Sequence, residues 1–485
     1  MDSVLSHLKP KRLWDIFEEI CQIPRASGKE EKILQYLVNF AESNGLSYEQ
    51  DATGNLVIRK NASKGYEDRP VVVLQGHVDM VCEKNADVDH DFDKDPIMPV
   101  IDDGWVKARG TTLGADNGIG VAAQLAILES TDIEHGPLEC LFTVEEETGL
   151  AGAFGLEPGF VKGRIMLNLD SEQDGELCIG CAGGMDTTIR LPYKRVNTEI
   201  DHLPYQIHIS GLTGGHSGDD IHKGRGNAIK MLVRILWNVG QAYELRLAEI
   251  KGGNLRNAIA REAFATFTIP QRHAEDFMKG FDDMVAELKA EWQTTEPGMQ
   301  ISLREVVMPQ CLLDFNTQLR LINALYACPH GVVRMSADIP GLVETSTNLA
   351  SVVVTPTDIV VGTSQRSSVY SAKTDIANMV ASVFLLAGAD VKHGEGYPGW
   401  KPNTDSGILK VMKETHHDLF GEHPSVIATH AGLECGIIGE KYPGMDMISY
   451  GPTMRDAHSP DERVRIESVK KFWDLTLETL RRLGD

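Results

Sequence analysis

The sequence predicts an α/β protein whose sheet is mixed and mainly parallel, interrupted by a large α+β insertion. Three observations carry this. Four separated apolar runs each stop at, or a short loop before, an acid or a histidine. Residues 1–185 alternate strand-like and helix-like segments, whereas from about Met185 the texture changes to alternating strands with interleaved helices. At 485 residues the chain exceeds the size at which a single core keeps growing, so two or more domains are expected.

The first run, Val71 to Leu74, leads into Gln75-Gly76-His77-Val78-Asp79. A helix is predicted from Asn117 to Ser130, with Ile119, Val121, Ala122, Leu125, Ile127 and Leu128 apolar. Leu138 to Val144 then runs into Glu145-Glu146-Glu147-Thr148-Gly149, and Ile165 to Leu169 into Asp170-Ser171-Glu172. Short continuous apolar runs of this kind read as buried strands of a largely parallel sheet. In the insertion, Thr187 to Pro192, Tyr205 to Ile209 and Ala263 to Ile269 read as strands around a helix near Asn227 to Val239. Ile301 to Val307 and Ala350 to Val361 continue that texture as far as Lys373. The breaker-rich stretch His393 to Pro402 marks the return to the first domain. The last apolar run, Met447 to Tyr450, precedes Ala457-His458-Ser459-Pro460. The resulting division is 1–185 and 395–485 for one domain and 186–394 for the insertion.

Composition excludes several classes of function. Lys+Arg 47 against Asp+Glu 70 leaves a net charge of −23, which repels nucleic acid and anionic membranes. No apolar run approaches the ~20 residues of a membrane helix. Eight scattered cysteines and a start without an apolar signal core predict a cytoplasmic protein with reduced thiols. Cys178 and Cys181 have redox-motif spacing without its context and read as packing residues.

In open α/β sheets ligands bind beyond the carboxyl ends of the strands. Histidines and carboxylates gathered at one sheet edge are what a divalent cation needs, and crowding them without one is costly. Each residue also has a plain reading. His77 is a core or loop histidine unless Asp79, on the same face, steers it toward a cation. Asp116 caps the following helix, or bridges two cations ~3.5–4 Å apart. The Glu145-Glu146-Glu147 triplet is an exposed acidic turn, or divides the work of ligand and base between neighbouring glutamates. Asp170 is a polar turn residue or a strand-end ligand, and His458 is a loop histidine or a ligand. Each plain reading is comfortable singly; all of them holding together is not.

The order and context of His77-Val78-Asp79, Gly114-Ala115-Asp116-Asn117-Gly118, Glu146-Glu147-Thr148-Gly149, Asp170 and His458-Ser459-Pro460 resemble the M20 family of di-zinc aminopeptidases and carboxypeptidases. The resemblance implies a zinc-peptidase-like catalytic domain interrupted by a lid domain through which two chains pair as a homodimer. It implies two Zn2+ per subunit, with Co2+ or Mn2+ as substitutes. Asp116 would bridge them, His77 and Asp170 would hold one, and Glu147 and His458 the other. Glu146 would be the general base, and Asp79 would orient His77.

The same resemblance carries three further residues. His216, in Gly214-Gly215-His216-Ser217-Gly218, would stabilise the oxyanion, although by itself it reads as a turn histidine. Arg366, by default an exposed strand-end arginine, would hold the substrate carboxylate, and Asn257 would contact substrate. Where the family shows a Gly-Gly-Thr-Asp-like turn, this chain has His430-Ala431-Gly432-Leu433-Glu434-Cys435, which makes Glu434 a candidate for reading a free α-amino group. His416-His417 reads as helix surface. The expected function is metal-dependent hydrolysis of dipeptides, Xaa-His dipeptides included. Its rivals are an amidohydrolase acting on N-acyl amino acids and a non-catalytic metal-binding protein.

Overall fold

A computed structural model describes residues 4–484. The described residues divide into two compact units, the first 4–180, 400–428 and 433–484, the second 181–399 and 429–432. The crossings lie at 180/181 and 399/400, not at 185/186 and 394/395. The reason is local: the strand Gly183–Pro192 already belongs to the second sheet, and Tyr397 still pairs its backbone with Gly184.

The first unit is built on a mixed sheet of eight strands among the described residues. Its centre is four parallel strands, in the order Leu138–Thr143, Val72–His77, Ile165–Asn168 and Asp446–Ser449. These are the four apolar runs, and they are neighbours. Antiparallel strands Leu56–Lys60 and Ser47–Gln50 extend one side. Every residue of Val72–His77 and of Leu138–Thr143 is buried, which is why neither shows the alternation of a half-exposed strand.

The helix Ala115–Glu129 is buried along its length from Asn117 to Leu128, so it is apolar all round rather than on one stripe. Its close approach to the sheet requires glycine at position 76, where a Cβ would lie 2.2 Å from Asn117 Oδ1. Asp116 at its mouth has extended backbone angles, and its carboxylate is engaged by His77 and His458.

The second unit is an antiparallel sheet with helices Ala228–Ala242, Ala274–Trp292, Phe315–Ala327 and Tyr370–Leu386. Its core includes Ile207, Leu232, Leu236, Phe267, Phe277 and Val361. The single strand expected over Ala350 to Val361 is the middle of a hairpin, Val343–Val354 and Asp358–Ser367. A turn at Thr355 to Thr357, containing Pro356, interrupts the apolar run, and Thr355 N–H donates to Asp358 O. His416 is also not at the surface: it is 6% exposed, with Nδ1 2.9 Å from Glu422 O. Cys178 and Cys181 are both buried. No described helix is long and apolar enough to cross a membrane.

Candidate metal centre

Within the first unit the carboxyl ends of the central strands bring five predicted ligands together. His77 ends its strand, Asp170 follows Ile165–Asn168, Glu147 follows Leu138–Thr143, Asp116 opens the buried helix, and His458 lies on the loop after Asp446–Ser449. His77 Nε2 is 3.0 Å from Asp116 Oδ1 and 3.3 Å from Asp170 Oδ1. His458 Nε2 is 3.3 Å from Asp116 Oδ2 and 3.0 Å from Glu147 Oε2. Asp116 therefore offers one oxygen to each of two groups of three, and within each group the donor atoms lie within 4.8 Å of one another. Glu146 joins a third such group with His77 and Glu147. His458 takes a left-handed backbone, φ 63, a conformation costly for a residue other than glycine and found at functional sites.

Asp79 ties these elements to each other. It is fully buried, and its carboxylate lies 3.3 Å from His77 Nδ1. It also accepts from Ser27 Oγ and from the backbone N–H groups of Glu146 and Glu147, at 2.7, 3.1 and 3.2 Å. Burial is the largest single effect and resists its ionisation, but His77, Ser27 and the Glu146 N–H together outweigh it and hold the carboxyl at about 2.

The chemistry of this donor set fits divalent cations. Among the described residues, the ion-pair partners of Asp79, Asp116, Glu147 and Asp170 are the two histidines alone. One oxygen each of Glu147 and Asp170 is buried without a hydrogen bond. Burial pushes Asp170 up to about 8 and Glu146 well above the usual carboxylate range, with neighbouring acids adding to both. Hydrogen bonds to Asp116 and Glu147 push His458 up to about 11. The field thus favours positive charge at two points, and imidazole with carboxylate and no thiolate suits zinc, cobalt or manganese.

Two residues that position this site escaped sequence reasoning. Glu462, 2% exposed, accepts from the backbone N–H groups of Leu113, Gly114, Ala115 and Asp116 at 2.7, 2.9, 2.7 and 3.3 Å. The loop that presents Asp116 is thereby wrapped round one carboxylate. Arg25, 3% exposed, donates to the carbonyls of Val78, Asp79 and Gly114 and fastens that loop to the end of the His77 strand. Only its place four residues after His458 could have drawn attention to Glu462; for Arg25 the sequence holds no signal.

Glu434 is 1% exposed. Its Oε2 accepts from Gln75 Nε2 at 2.6 Å and Thr143 Oγ1 at 2.9 Å, and its Oε1 is buried without a partner.

The remaining candidates lie in the second unit. Arg366 is 7% exposed, not an exposed strand-end residue, because Asp358–Ser367 is an interior strand whose end is covered. Its guanidinium donates to Tyr397 Oη at 2.9 Å and Ser217 Oγ at 3.3 Å, and lies 3.3 Å from His216 Nε2. Nδ1 of His216 is 3.2 Å from Asp219. Arg366, Asn257 and Tyr397 line one cavity of about 410 Å³.

Against known proteins, the model of peptidase family M20/M25/M40 matches residues 73–482. The chain belongs to this family. This M20 peptidase is a hydrolase acting on peptide bonds. It is 45% identical to the cytosol non-specific dipeptidase of Escherichia coli (strain K12), over 99% of each chain. Its fold matches the crystal structure of aminoacylhistidine dipeptidase from Vibrio alginolyticus with a TM-score of 0.94 at 45% identity, covering 100% of this peptidase and 99% of that chain. A tripeptidase from Staphylococcus aureus shares the fold at TM-score 0.57 and 19% identity, covering 98% and 99%.

Proposed function

We infer that this M20 peptidase is a two-zinc dipeptidase that accepts a range of dipeptides, Xaa-His dipeptides among them. The observation that carries the reading is the pair of three-residue groups sharing Asp116. One relative is named a non-specific dipeptidase and another an aminoacylhistidine dipeptidase, which supports a broad range that includes histidine at the second position. The E. coli relative's name also supports a cytoplasmic location.

Asp116 would bridge the two ions, with His77 and Asp170 on one and Glu147 and His458 on the other. When bound, the ions would polarise the scissile carbonyl and acidify the attacking water. Glu146 would take a proton from the attacking water and deliver it to the leaving amine, a role suited to a carboxyl that burial raises well above the usual carboxylate range. Asp79 keeps His77 in one tautomer and holds the Glu146 backbone in place. In this proposal His216 hydrogen-bonds the developing oxyanion, Arg366 holds the substrate carboxylate, Asn257 contacts substrate, and chains pair as a homodimer through the second unit.

The test is a panel of dipeptides and N-acyl amino acids assayed with and without added zinc, alongside metal analysis. Zinc-dependent cleavage of dipeptides with about two metal ions per chain is the expected outcome. Preferential cleavage of N-acyl amino acids would assign the site to deacylation instead, and metal binding without turnover would refute catalysis.

A further inference from the structure

We propose that Glu434 is the residue that reads the free α-ammonium group of the substrate. The inference rests on the dipeptidase reading above and narrows its substrates to chains with an unblocked N-terminus.

The argument starts from a charge that the fold itself does not use. Glu434 is held through one oxygen, Oε2, by Gln75 and Thr143. An amide oxygen could also accept both bonds, so the geometry of these two partners does not by itself call for a carboxylate there. The other oxygen, Oε1, is buried and makes no hydrogen bond, and no ion pair to Glu434 is present among the described residues. An enclosed, half-satisfied carboxylate is costly unless something cationic completes it. Glu147 Oε1 is enclosed in the same way.

The sheet register says where this charge stands. Thr143 is the partner of His77 across the parallel pair. Gln75, two residues before His77, is the partner of Asn168, two residues before Asp170. Asn168 Nδ2 donates to Gln75 Oε1 at 2.6 Å, so the row is cross-linked. Side chains two apart along a strand share a face, which puts Gln75 on the face of the sheet that carries His77 and Asn168 on the face that carries Asp170. Glu434 is therefore anchored between the row of His77, through Thr143, and the row one step, about 6.6 Å along the strand, behind it, through Gln75.

Substrate chemistry asks for an acid at such a place. In a dipeptide the α-nitrogen is only two bonds from the scissile carbonyl carbon. Whatever recognises it must stand beside the hydrolytic centre, and an ammonium group donating to a carboxylate makes a short, charge-assisted hydrogen bond. An N-acyl group offers no positive charge and would leave Oε1 unmet.

The experiment compares the zinc-loaded wild type with Glu434→Gln. The substrates are a dipeptide that the wild type cleaves and its N-acetyl form. The binding probes are a phosphinic dipeptide analogue and its des-amino counterpart, used as competitive inhibitors, and bound zinc and melting temperature are recorded. The expected result is a rise in KM for the free dipeptide, with its kcat/KM advantage over the N-acetyl form shrinking about 100-fold. The inhibitor's advantage over its des-amino counterpart shrinks by a similar factor, and zinc content is unchanged. Glu434→Asp restores part of both. A Glu434→Gln protein that keeps the wild-type preference for the free amine overturns the inference and leaves the dipeptidase reading standing. So does one that loses zinc or weakens both analogues alike, since Glu434 would then serve the centre and not the substrate. A wild type that cleaves no dipeptide removes the dipeptidase reading, and the inference falls with it.

Discussion

The proposal makes Glu146 a base and its neighbour Glu147 a ligand, and variants separate the two roles. Glu146→Gln is expected to keep its bound metal and lose turnover by about 10²–10⁴-fold, the usual contribution of a positioned proton-transfer group. Metal analysis beside single-turnover kinetics checks this, and near-normal turnover would take Glu146 out of the base role. Glu147→Gln and Asp116→Asn are expected to lower bound metal, with Asp116 affecting both positions because its two oxygens face different histidines. Unchanged stoichiometry in both would contradict the ligand assignment. Much of this was legible in the sequence, since the residues that now converge stood at the ends of apolar runs. Arg25 was not legible, because its contacts are to backbone carbonyls and leave no mark in a pattern of side chains.

At the scale of the element, Glu462 gathers the backbone N–H groups of the loop from Leu113 to Asp116, and Arg25 holds its Gly114 carbonyl. Glu462→Gln replaces a charged acceptor of four N–H groups with one that also carries donors. The expected cost is about 2–3 kcal/mol of stability, a fall of several degrees in melting temperature, and weaker metal binding. Calorimetric metal titration of the folded variant checks the last point. Gly76→Ala forces a Cβ into Asn117 and is expected to cost about 1–3 kcal/mol by overpacking, measured by denaturant unfolding. The four parallel strands could be read from hydrophobicity, because burial on both faces leaves unbroken apolar runs. The hairpin at Thr355 to Thr357 was hidden by the same property, as two buried strands of similar composition merge across a short turn.

For the whole molecule, stability should depend on pH through groups outside the proposed ligand set as well as within it. His430, in the second unit, is 6% exposed, with Nε2 2.7 Å from Ser346 Oγ. Burial first, and then Arg366, lowers it from 6.5 to about 3. Between those values the unfolded chain binds a proton that the folded chain refuses, so this contribution falls as pH drops from 6.5 toward 3 and is absent above 6.5. Melting temperatures at pH 4.5 and 7.5 should therefore differ less in His430→Gln than in the wild type, and an equal difference would exclude His430 as a source. The two-unit organisation was visible as a change of texture near residue 185. The return of residues 429–432 to the second unit was not, since four residues are too few to carry a period.

The Asp79 carboxylate grips an imidazole on one side and the amides of two successive glutamates on the other. Under the proposed roles, cation affinity and proton transfer would be geared to a single anchor, and a substitution at Asp79 would disturb both together.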